Sequence, residues 1–227
     1  MNEPRQRARS AEAKQERRRA LLVAATELGL AHGVREVTLT AVTTQVGLHP
    51  SALRRYFESR EELLLELAEL GWRDWRTGLT DALAEAPSRT AGEVARALAV
   101  SLERLPLFCD LLTHVVLSLE GAVRLERARS YKAAATEAYD EMTDALVAAG
   151  AGLDPEGART VLTTAMSTAA YLYQLGRPSP TLRQLYAQEP RWAHDALRFR
   201  EQLTRILEAT VLGAQCARSP RPPRDLG

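Results

Sequence analysis

The stretch TLTAVTTQVGLHPSALRRYFESREEL, from Thr38 to Leu63, decides which fold this chain can adopt. Thr38 can cap a first short helix, because its side-chain oxygen can accept a hydrogen bond from a free backbone N–H. Gly47 suits the end of that helix, where a left-handed backbone is favoured. Pro50 suits the first position of a second short helix, where its missing N–H is not needed. The apolar face of the first helix consists of Leu39, Val42 and Val46.

The second short helix carries apolar and basic side chains on different faces. Leu53 and Phe57 are expected to point inward, whereas Arg54 and Arg55 are expected to be exposed. Two short helices joined by a glycine turn, with arginines exposed on the second, are typical of a helix-turn-helix DNA-binding unit.

This region resembles the tetracycline-repressor-like (TetR) family of regulators. The resemblance rests on a Tyr-Phe-x-Ser-Arg-Glu-x-Leu run after a glycine turn, and it covers the chain only up to about Leu63. Two positions depart from the family pattern: His49 stands where the family usually has Ser, and Arg54 stands where it usually has an aromatic residue. The matching residues are Ala24, Leu28, Gly33, Thr38, Val42, Gly47, Leu48, Leu53, Tyr56, Phe57, Ser59, Arg60, Glu61 and Leu63.

The candidates for DNA contact fall into three groups. The N-terminal end of the second helix would face the DNA groove, and the arginines that follow it could reach bases or phosphates. The alternative is that these are ordinary surface residues without a DNA contact. The threonine hydroxyls of the first helix suit a phosphate, although capping also explains them. By resemblance, Tyr56 and Arg60 would touch the DNA backbone. The full set is Thr38, Thr40, His49, Pro50, Ser51, Ala52, Arg54, Arg55, Tyr56 and Arg60.

Charge is distributed unevenly along the 227-residue chain. Residues 1–60 hold 11 Arg and Lys against 6 Asp and Glu, whereas the whole chain has a net charge of +1. A basic N-terminal quarter favours a local contact with a polyanion, although high-GC coding bias would also enrich arginine. Richness in Ala and Leu with few aromatic residues predicts an all-α protein.

The pattern of helix starts and stops predicts four parts. Residues 1–10 would be a flexible basic arm, either solvated or lying along DNA. The helix-turn-helix domain would span 11–60, with a first helix from about Ala11 to His32. A larger helical domain, to which the resemblance assigns effector binding and dimerisation, would span 61–216, and residues 217–227 would be a disordered tail. The helices of the larger domain are predicted over 60–86, 90–103, 106–119, 122–149, 155–175 and 192–215, with a turn-rich segment at 176–190.

The resemblance assigns two roles to the larger domain. The last two long helices of each subunit would form a four-helix dimer interface, unless their apolar stripes are internal core. The middle helices would enclose a pocket for a small, largely apolar effector, although aromatic residues at helical spacing are also ordinary core. The dimer stripes are Leu162, Ala165, Met166, Ala169 and Leu172, and Leu203, Ile206, Leu207, Thr210 and Val211. The pocket candidates are Trp72, Trp75, Phe108, His114, Tyr139, Met166 and Tyr171.

Motifs for catalysis, metal binding or cofactor binding are absent from the sequence. There is no HExxH, GxSxG, GxGxxG or P-loop pattern, and the four histidines lack metal-ligand spacing. Cys109 and Cys216 are isolated, which favours reduced thiols in a cytoplasmic protein over a redox role. No apolar run approaches the roughly 18 residues of a membrane span.

We therefore expect a homodimeric, sequence-specific transcriptional regulator that is not an enzyme. By resemblance it would be a repressor, which a small molecule releases from a near-palindromic, double-stranded DNA operator. A dimer can place two DNA-binding units about 34–36 Å apart, on successive major-groove faces. The alternatives are a DNA-binding protein without an effector, and a helical enzyme or ligand carrier that keeps the helix-turn-helix only as scaffold.

Overall fold

The computed structural model describes residues 3–85, 88–193 and 198–218, with the backbone alone for residues 3–11, Pro50 and Arg218. This part of the chain is all-α, as predicted, and contains no strand. The helices are α1 (Glu3–His32), α2 (Leu39–Gln45), α3 (Pro50–Leu53), α4 (Arg60–Ala84), α5 (Ala91–Glu103), α6 (Pro106–His114), α7 (Leu125–Ala148), α8 (Pro155–Leu175), α9 (Pro180–Gln188) and α10 (Phe199–Arg218). Short 3-10 turns occupy Val34–Glu36, Glu120–Ala122 and Pro190–Trp192, and a π-helical turn occupies Val115–Leu119.

Helices α1 to α3 form an N-terminal three-helix unit around a small core. Leu21 of α1, Leu53 of α3 and Phe57 are at most 1% exposed. Gly33 (φ 92°) and Gly47 (φ 67°) supply the left-handed backbone that ends α1 and α2. The predicted helix, glycine turn and helix are therefore confirmed, although the regular part of α3 ends at Leu53.

Helix α4 leaves this unit and forms the centre of the larger helical body. Ser59 Oγ accepts the N–H of Glu62 at 3.1 Å and so caps the start of this helix. Beyond the cap, α4 packs against α7 and α5, while α5, α8 and α10 pack against one another. The long helix therefore belongs to both parts of the molecule.

An aromatic cluster lies where α4 meets α6. The ring centroids of Trp72 and Phe108 are 5.4 Å apart, and those of Trp75 and Phe108 are 6.0 Å apart. Trp72 Nε1–H donates to the Tyr131 hydroxyl at 3.0 Å, and Trp75 Nε1–H donates to Ser101 Oγ at 3.0 Å. Because the polar ends of both indoles are satisfied within the protein, this cluster is a closed part of the core.

Helix α6 is wedged between α1 and α4 at two glycines. A Cβ atom on Gly29 of α1 would lie 2.6 Å from Leu107 Cδ1, and a Cβ atom on Gly71 of α4 would lie 2.3 Å from Phe108 Cδ2. Neither position has room for a methyl group with the present side-chain positions. The two glycines therefore let α6 contact the N-terminal unit and the long helix at the same time.

The stripes predicted to form the dimer interface lie inside one chain. Leu162 and Ala165 of α8, and Leu203 and Leu207 of α10, are 0% exposed. They are buried because α8 and α10 pack against each other and against α5. Most of each stripe is therefore internal core of one chain, as the alternative allowed, and dimerisation through the last two long helices stays a prediction. The stripe residues that remain partly exposed are Met166, Ile206 and Thr210.

Some predicted boundaries also change. Helix α1 begins at Glu3, so the backbone of residues 3–10 is helical, whereas the first helix was predicted from about Ala11; the role of this segment as a basic arm stays a prediction. Arg, Gln, Ala and Glu in this segment are good helix formers, and a proline is tolerated in the first turn of a helix. Similarly, α9 fills most of the segment at 176–190, because Ser179 Oγ accepts the N–H of Leu182 at 3.3 Å.

The C-terminal boundaries shift in the same way. Helix α6 gives way to the π-helical turn after His114, where one helix was predicted over 106–119. Helix α10 begins at Phe199 and continues to Arg218, past the predicted start of the tail. The rest of that tail, residues 219–227, lies outside the described residues.

Among the described residues, no single helix is long and apolar enough to cross a membrane. Helix α5 and residues 106–122 pass that test only as a pair, bent by 86° at the break between them.

We expect Gly71→Ala to lower the free energy of unfolding by about 1–3 kcal/mol, because the added methyl group must displace the Phe108 ring. Gly78→Ala in the same helix is the matched control, since no described atom lies within 4 Å of its Cβ position. That variant should gain about 0.5–1 kcal/mol from helix propensity. Urea denaturation measures both changes, and equal stabilities would show that α6 does not require this close approach.

Candidate nucleic-acid interface

Local hydrogen bonds fix the turn between α2 and α3. Thr38 Oγ1 accepts the N–H of Ala41 at 3.1 Å, and the N–H of Leu48 donates to the carbonyl of Thr43 at 2.8 Å. His49 Nδ1 accepts the N–H of Ser51 at 3.3 Å, so the imidazole caps α3. His49 thus performs the capping that a serine at this position would perform.

Most of the predicted DNA-contact residues lie on the surface of this motif. The side chains of Arg54 and Arg55 make no hydrogen bond or ion pair with any residue that the structure describes. Their guanidinium groups are therefore available to an external acceptor. The side chain of Pro50 lies outside the described residues. Exposed positions are Thr38, Thr40, His49, Ser51, Arg54 and Arg55, and partly buried ones are Ala52, Tyr56 and Arg60.

Arg60 differs from the other candidates because its guanidinium is directed into the protein. Its Nε–H donates to the carbonyl of Val37 at 2.5 Å, and its Nη2–H donates to the carbonyl of Val34 at 2.7 Å. These bonds hold the loop before α2 against the start of α4. Arg60 therefore positions the motif, and its contact with the DNA backbone remains a prediction.

A charged pair joins the N-terminal unit to α4 behind the motif. Arg18 of α1 forms a two-pronged ion pair with Glu66 of α4, and the Arg18 guanidinium lies 4.8 Å from the centre of the Phe57 ring. Glu66 is 9% exposed. Burial raises the pKa of Glu66, and the charge of Arg18 offsets only part of this effect. The pair therefore fixes α1 and α4 in one register.

Asp110 of α6 forms a second polar connection. Its Oδ2 accepts the backbone N–H of Val34 at 2.9 Å, and its Oδ1 accepts the Gln174 amide of α8 at 2.8 Å. His114 Nε2 lies 3.5 Å from the same Oδ1. Burial pushes the pKa of Asp110 upward, but hydrogen bonds from His114, Val34 and Gln174 outweigh it, so the pKa is lowered. One carboxylate thus connects α6, α8 and the loop before α2.

Of the residues predicted to bind an effector, Phe108 lines the cavity bounded by α1, α4 and α6. Trp72 and Trp75 belong to the closed aromatic cluster, and Tyr171 is 63% exposed on α8. The Tyr139 hydroxyl donates to the carbonyl of Arg159 at 2.8 Å, between α7 and α8. The role of these residues in effector binding stays a prediction.

Two cavities do lie beside α6. One, of about 290 Å³, is bounded by α1, α4 and α6, and includes Phe108 and Leu30 in its lining. The other, of about 250 Å³, lies among α5, α6, α8 and α10, with Cys109 and Arg177 in its lining. In the part of the chain that the structure describes, no three His, Cys, Asp or Glu side chains are grouped so as to hold a metal ion.

Two family models match this chain over most of its length. One, described as bacterial regulatory proteins of the tetR family, matches residues 21–67. The other, described as the tetracyclin repressor-like C-terminal domain, matches residues 70–218, which is more than half of the chain. The chain belongs to the TetR family. TetR proteins are DNA-binding transcriptional regulators, and helices α2 and α3 of this one are its helix-turn-helix.

Solved structures of other regulatory proteins share this fold at low sequence identity. A regulator from Rhodococcus RHA1 matches with a TM-score of 0.55 and 15% identity, over 87% of this chain and 96% of that one. A TetR/AcrR regulator from Thermobifida fusca matches with a TM-score of 0.50 and 22% identity, over 85% and 97%. FadR from Bacillus subtilis, in complex with stearoyl-CoA, matches with a TM-score of 0.52 and 14% identity, over 84% and 97%. These likenesses show the fold alone, and a comparison with curated proteins finds no match.

Sequence reasoning missed the connections behind the helix-turn-helix. Asp110 had a visible signal, because an acidic residue interrupts the apolar run PLFCDLL and His114 follows it by four residues. Arg18 and Glu66 had no such signal in the sequence, since both resemble ordinary surface charges on amphipathic helices. Their pairing depends on how α1 crosses α4, which no local pattern records.

We expect Arg55→Ala to weaken specific DNA binding by roughly 1–3 kcal/mol if Arg55 pairs with a base edge, without changing the melting temperature. If Arg55 contacts a phosphate, its loss would instead weaken binding to all sequences and reduce the salt slope by about one.

Arg60→Ala is the contrasting variant. It should lower the melting temperature as well as DNA affinity, because the bonds to Val34 and Val37 are lost. Thermal unfolding and fluorescence anisotropy separate the two effects, and full stability of Arg60→Ala would contradict its positioning role.

Proposed function

We propose that this TetR regulator is a homodimeric repressor that binds a near-palindromic operator and is released from it by a small molecule. The observation that carries the proposal is the pair Arg54 and Arg55, which follows the capped helix α3. Both side chains are exposed and have no partner among the described residues. Arginine forks suit both guanine edges and phosphates. The DNA-binding part would be residues 11–60, and residues 61–216 would bind the effector and the second subunit. As a regulator of bacterial genes, the protein would act in the cytoplasm.

Direct reading of bases is assigned to α3 and the residues around it. His49, Ser51 and Ala52 form the N-terminal end of α3, which in helix-turn-helix proteins faces base edges. Arg54 and Arg55 follow within one turn, so their longer side chains reach bases or the flanking phosphates. The exposed hydroxyls of Thr38 and Thr40 at the start of α2 suit a phosphate on the adjacent strand.

The dimer would form through the outer faces of α8 and α10, because their inner faces are already buried. On α8, the hydroxyls of Thr160 and Ser167 bond to carbonyls of their own helix at 3.0 and 2.8 Å, so they can enter an interface without losing a partner. Tyr171 adds a large exposed ring on the same face. On α10, the exposed positions at three- and four-residue spacing are Ala209, Leu212, Gly213 and Cys216.

Release by an effector is supported by the contacts of α6. This helix touches α1 through Leu107, the loop before α2 through Asp110, and α8 through Gln174. A ligand that moves α6 or α8 would therefore shift the orientation of the helix-turn-helix. The ligand would favour the conformation in which the two DNA-binding units of a dimer do not match the operator, while the operator would favour the other.

Binding to the DNA immediately upstream of the protein's own coding sequence tests the proposal, with a shuffled duplex of equal length as control. We expect a strong preference that persists at physiological salt, with two subunits or a multiple bound per site, because base contacts add to the salt-dependent phosphate contacts. A fluorescence-anisotropy salt titration measures both affinities. Equal affinities that fall steeply with salt would contradict operator recognition at this DNA. Absence of binding at low salt would favour the carrier or enzyme.

We expect Leu212→Arg to convert the dimer into a monomer, because it places a charge at the centre of the proposed α10 face. The buried charge would lack a partner in the interface. Val116→Arg is the matched control, since Val116 is an apolar residue with 78% exposure outside α8 and α10. Sedimentation velocity measures the oligomeric state, and circular dichroism should show a full helical signal for both. A dimeric Leu212→Arg protein would place the interface elsewhere.

A further inference from the structure

Arg177, just after α8, binds the C-terminal end of α1. Its Nη2–H donates to the carbonyl of Leu30 at 3.1 Å, and its Nη1–H donates to the hydroxyl of Tyr173. The last carbonyls of a helix lack partners within the helix, and a cation near them also interacts favourably with the helix dipole. Arg177 is therefore a C-terminal cap for the first helix of the DNA-binding unit, provided by the body of the protein.

The same arginine lines the cavity of about 250 Å³ among α5, α6, α8 and α10. The walls are largely apolar, through Leu102, Pro106, Leu172 and Phe199. The volume lies below the roughly 300–1,000 Å³ of sites for drug-sized ligands, so the cavity suits a compact molecule.

Arg177 is the positively charged side chain in the lining of this cavity. Glu103 also belongs to the lining, but Arg200 binds its carboxylate at 2.6 and 2.7 Å. Both acceptors of Arg177, the Leu30 carbonyl and the Tyr173 hydroxyl, are neutral, and no described carboxylate forms an ion pair with it. A ligand with an apolar body and one negative charge would complement this arrangement.

We propose that this cavity is the effector site, that its ligand is a compact apolar carboxylate, and that the carboxylate takes the Arg177 guanidinium away from α1. The proposal rests on the proposed function for its effect on DNA. A hydrogen bond to a carboxylate is roughly twice as strong as one to a neutral carbonyl, and it can be bidentate. The ligand therefore competes successfully with the Leu30 carbonyl for the same guanidinium.

Loss of this cap changes the position of α1. Leu21 and Ala25 of α1 provide part of the core of the three-helix unit, so a shift of the helix end is passed to α2 and α3. The contact of Asp110 with Val34 remains in place and acts as the pivot. Ligand binding is therefore expected to lower operator affinity without unfolding the unit.

The test uses two charged probes, phenylacetate and hexanoate, and their neutral amides, phenylacetamide and hexanamide. We expect both carboxylates to raise the melting temperature of the full chain, and both amides to have no effect. In Arg177→Met the carboxylate affinity, measured by titration calorimetry, should fall roughly tenfold or more, because a charge-assisted hydrogen bond is lost. Arg183→Met is the matched control. Like Arg177, this nearby arginine is exposed; it donates to the carbonyl of Pro178 at 2.8 Å and is absent from the cavity lining.

A second readout follows operator binding by anisotropy. Phenylacetate and hexanoate should release the wild-type protein and Arg183→Met from DNA, whereas Arg177→Met should bind DNA more weakly from the start and respond little. The proposal is overturned if the amides bind as well as the carboxylates, if Arg177→Met keeps full carboxylate affinity, or if neither carboxylate binds at millimolar concentration. If the protein binds carboxylates through Arg177 but recognises no operator, the proposed function is refuted, whereas the carboxylate site is supported.

Discussion

The N-terminal three-helix unit is too small to bury an adequate core alone, and the rest of the structure depends on how the body covers it. Helix α6 provides much of that cover, because Leu107 packs directly on Gly29 of α1 while Phe108 packs on Gly71 of α4. A close-packed contact of this kind transmits small shifts instead of absorbing them. The stability of the DNA-binding unit and its orientation are therefore set by the same surface.

Hydrogen bonds complete the attachment of the N-terminal unit to the body, because apolar packing alone does not specify the direction of a contact. Asp110, Arg60 and Arg177 all bond to backbone groups of the α1 end or the loop before α2. Each of these side chains belongs to a different helix or connection of the body. The helix-turn-helix is thus held by three separate elements, and a ligand that acts on one of them changes the balance among all three.

The sequence predicted those features that depend on local chemistry. The glycine turn at Gly47, the cap at Thr38 and most helix boundaries follow from backbone preferences that a few neighbouring residues determine. Most residues of the dimer stripes belong to the core of one chain, because an apolar face does not reveal whether its partner is the same chain or another. The assignment of Trp72 and Trp75 to an effector pocket stays a prediction, since these residues satisfy each requirement of a lining residue and of a core residue alike. Arg177 stood in a segment expected to be turns, where nothing in the sequence pointed to the end of α1.

The ion pair between Arg18 and Glu66 limits how this chain can change over evolutionary time. Replacement of Arg18 alone leaves a largely buried carboxylate without its cation, and replacement of Glu66 alone removes the carboxylate partner of a partly exposed guanidinium that lies over the Phe57 ring. Two apolar residues could take the place of the pair, but each single step towards them passes through a less stable protein. Positions 18 and 66 are therefore expected to mutate together, so that an alignment of close homologues would show them as a covarying pair between α1 and α4.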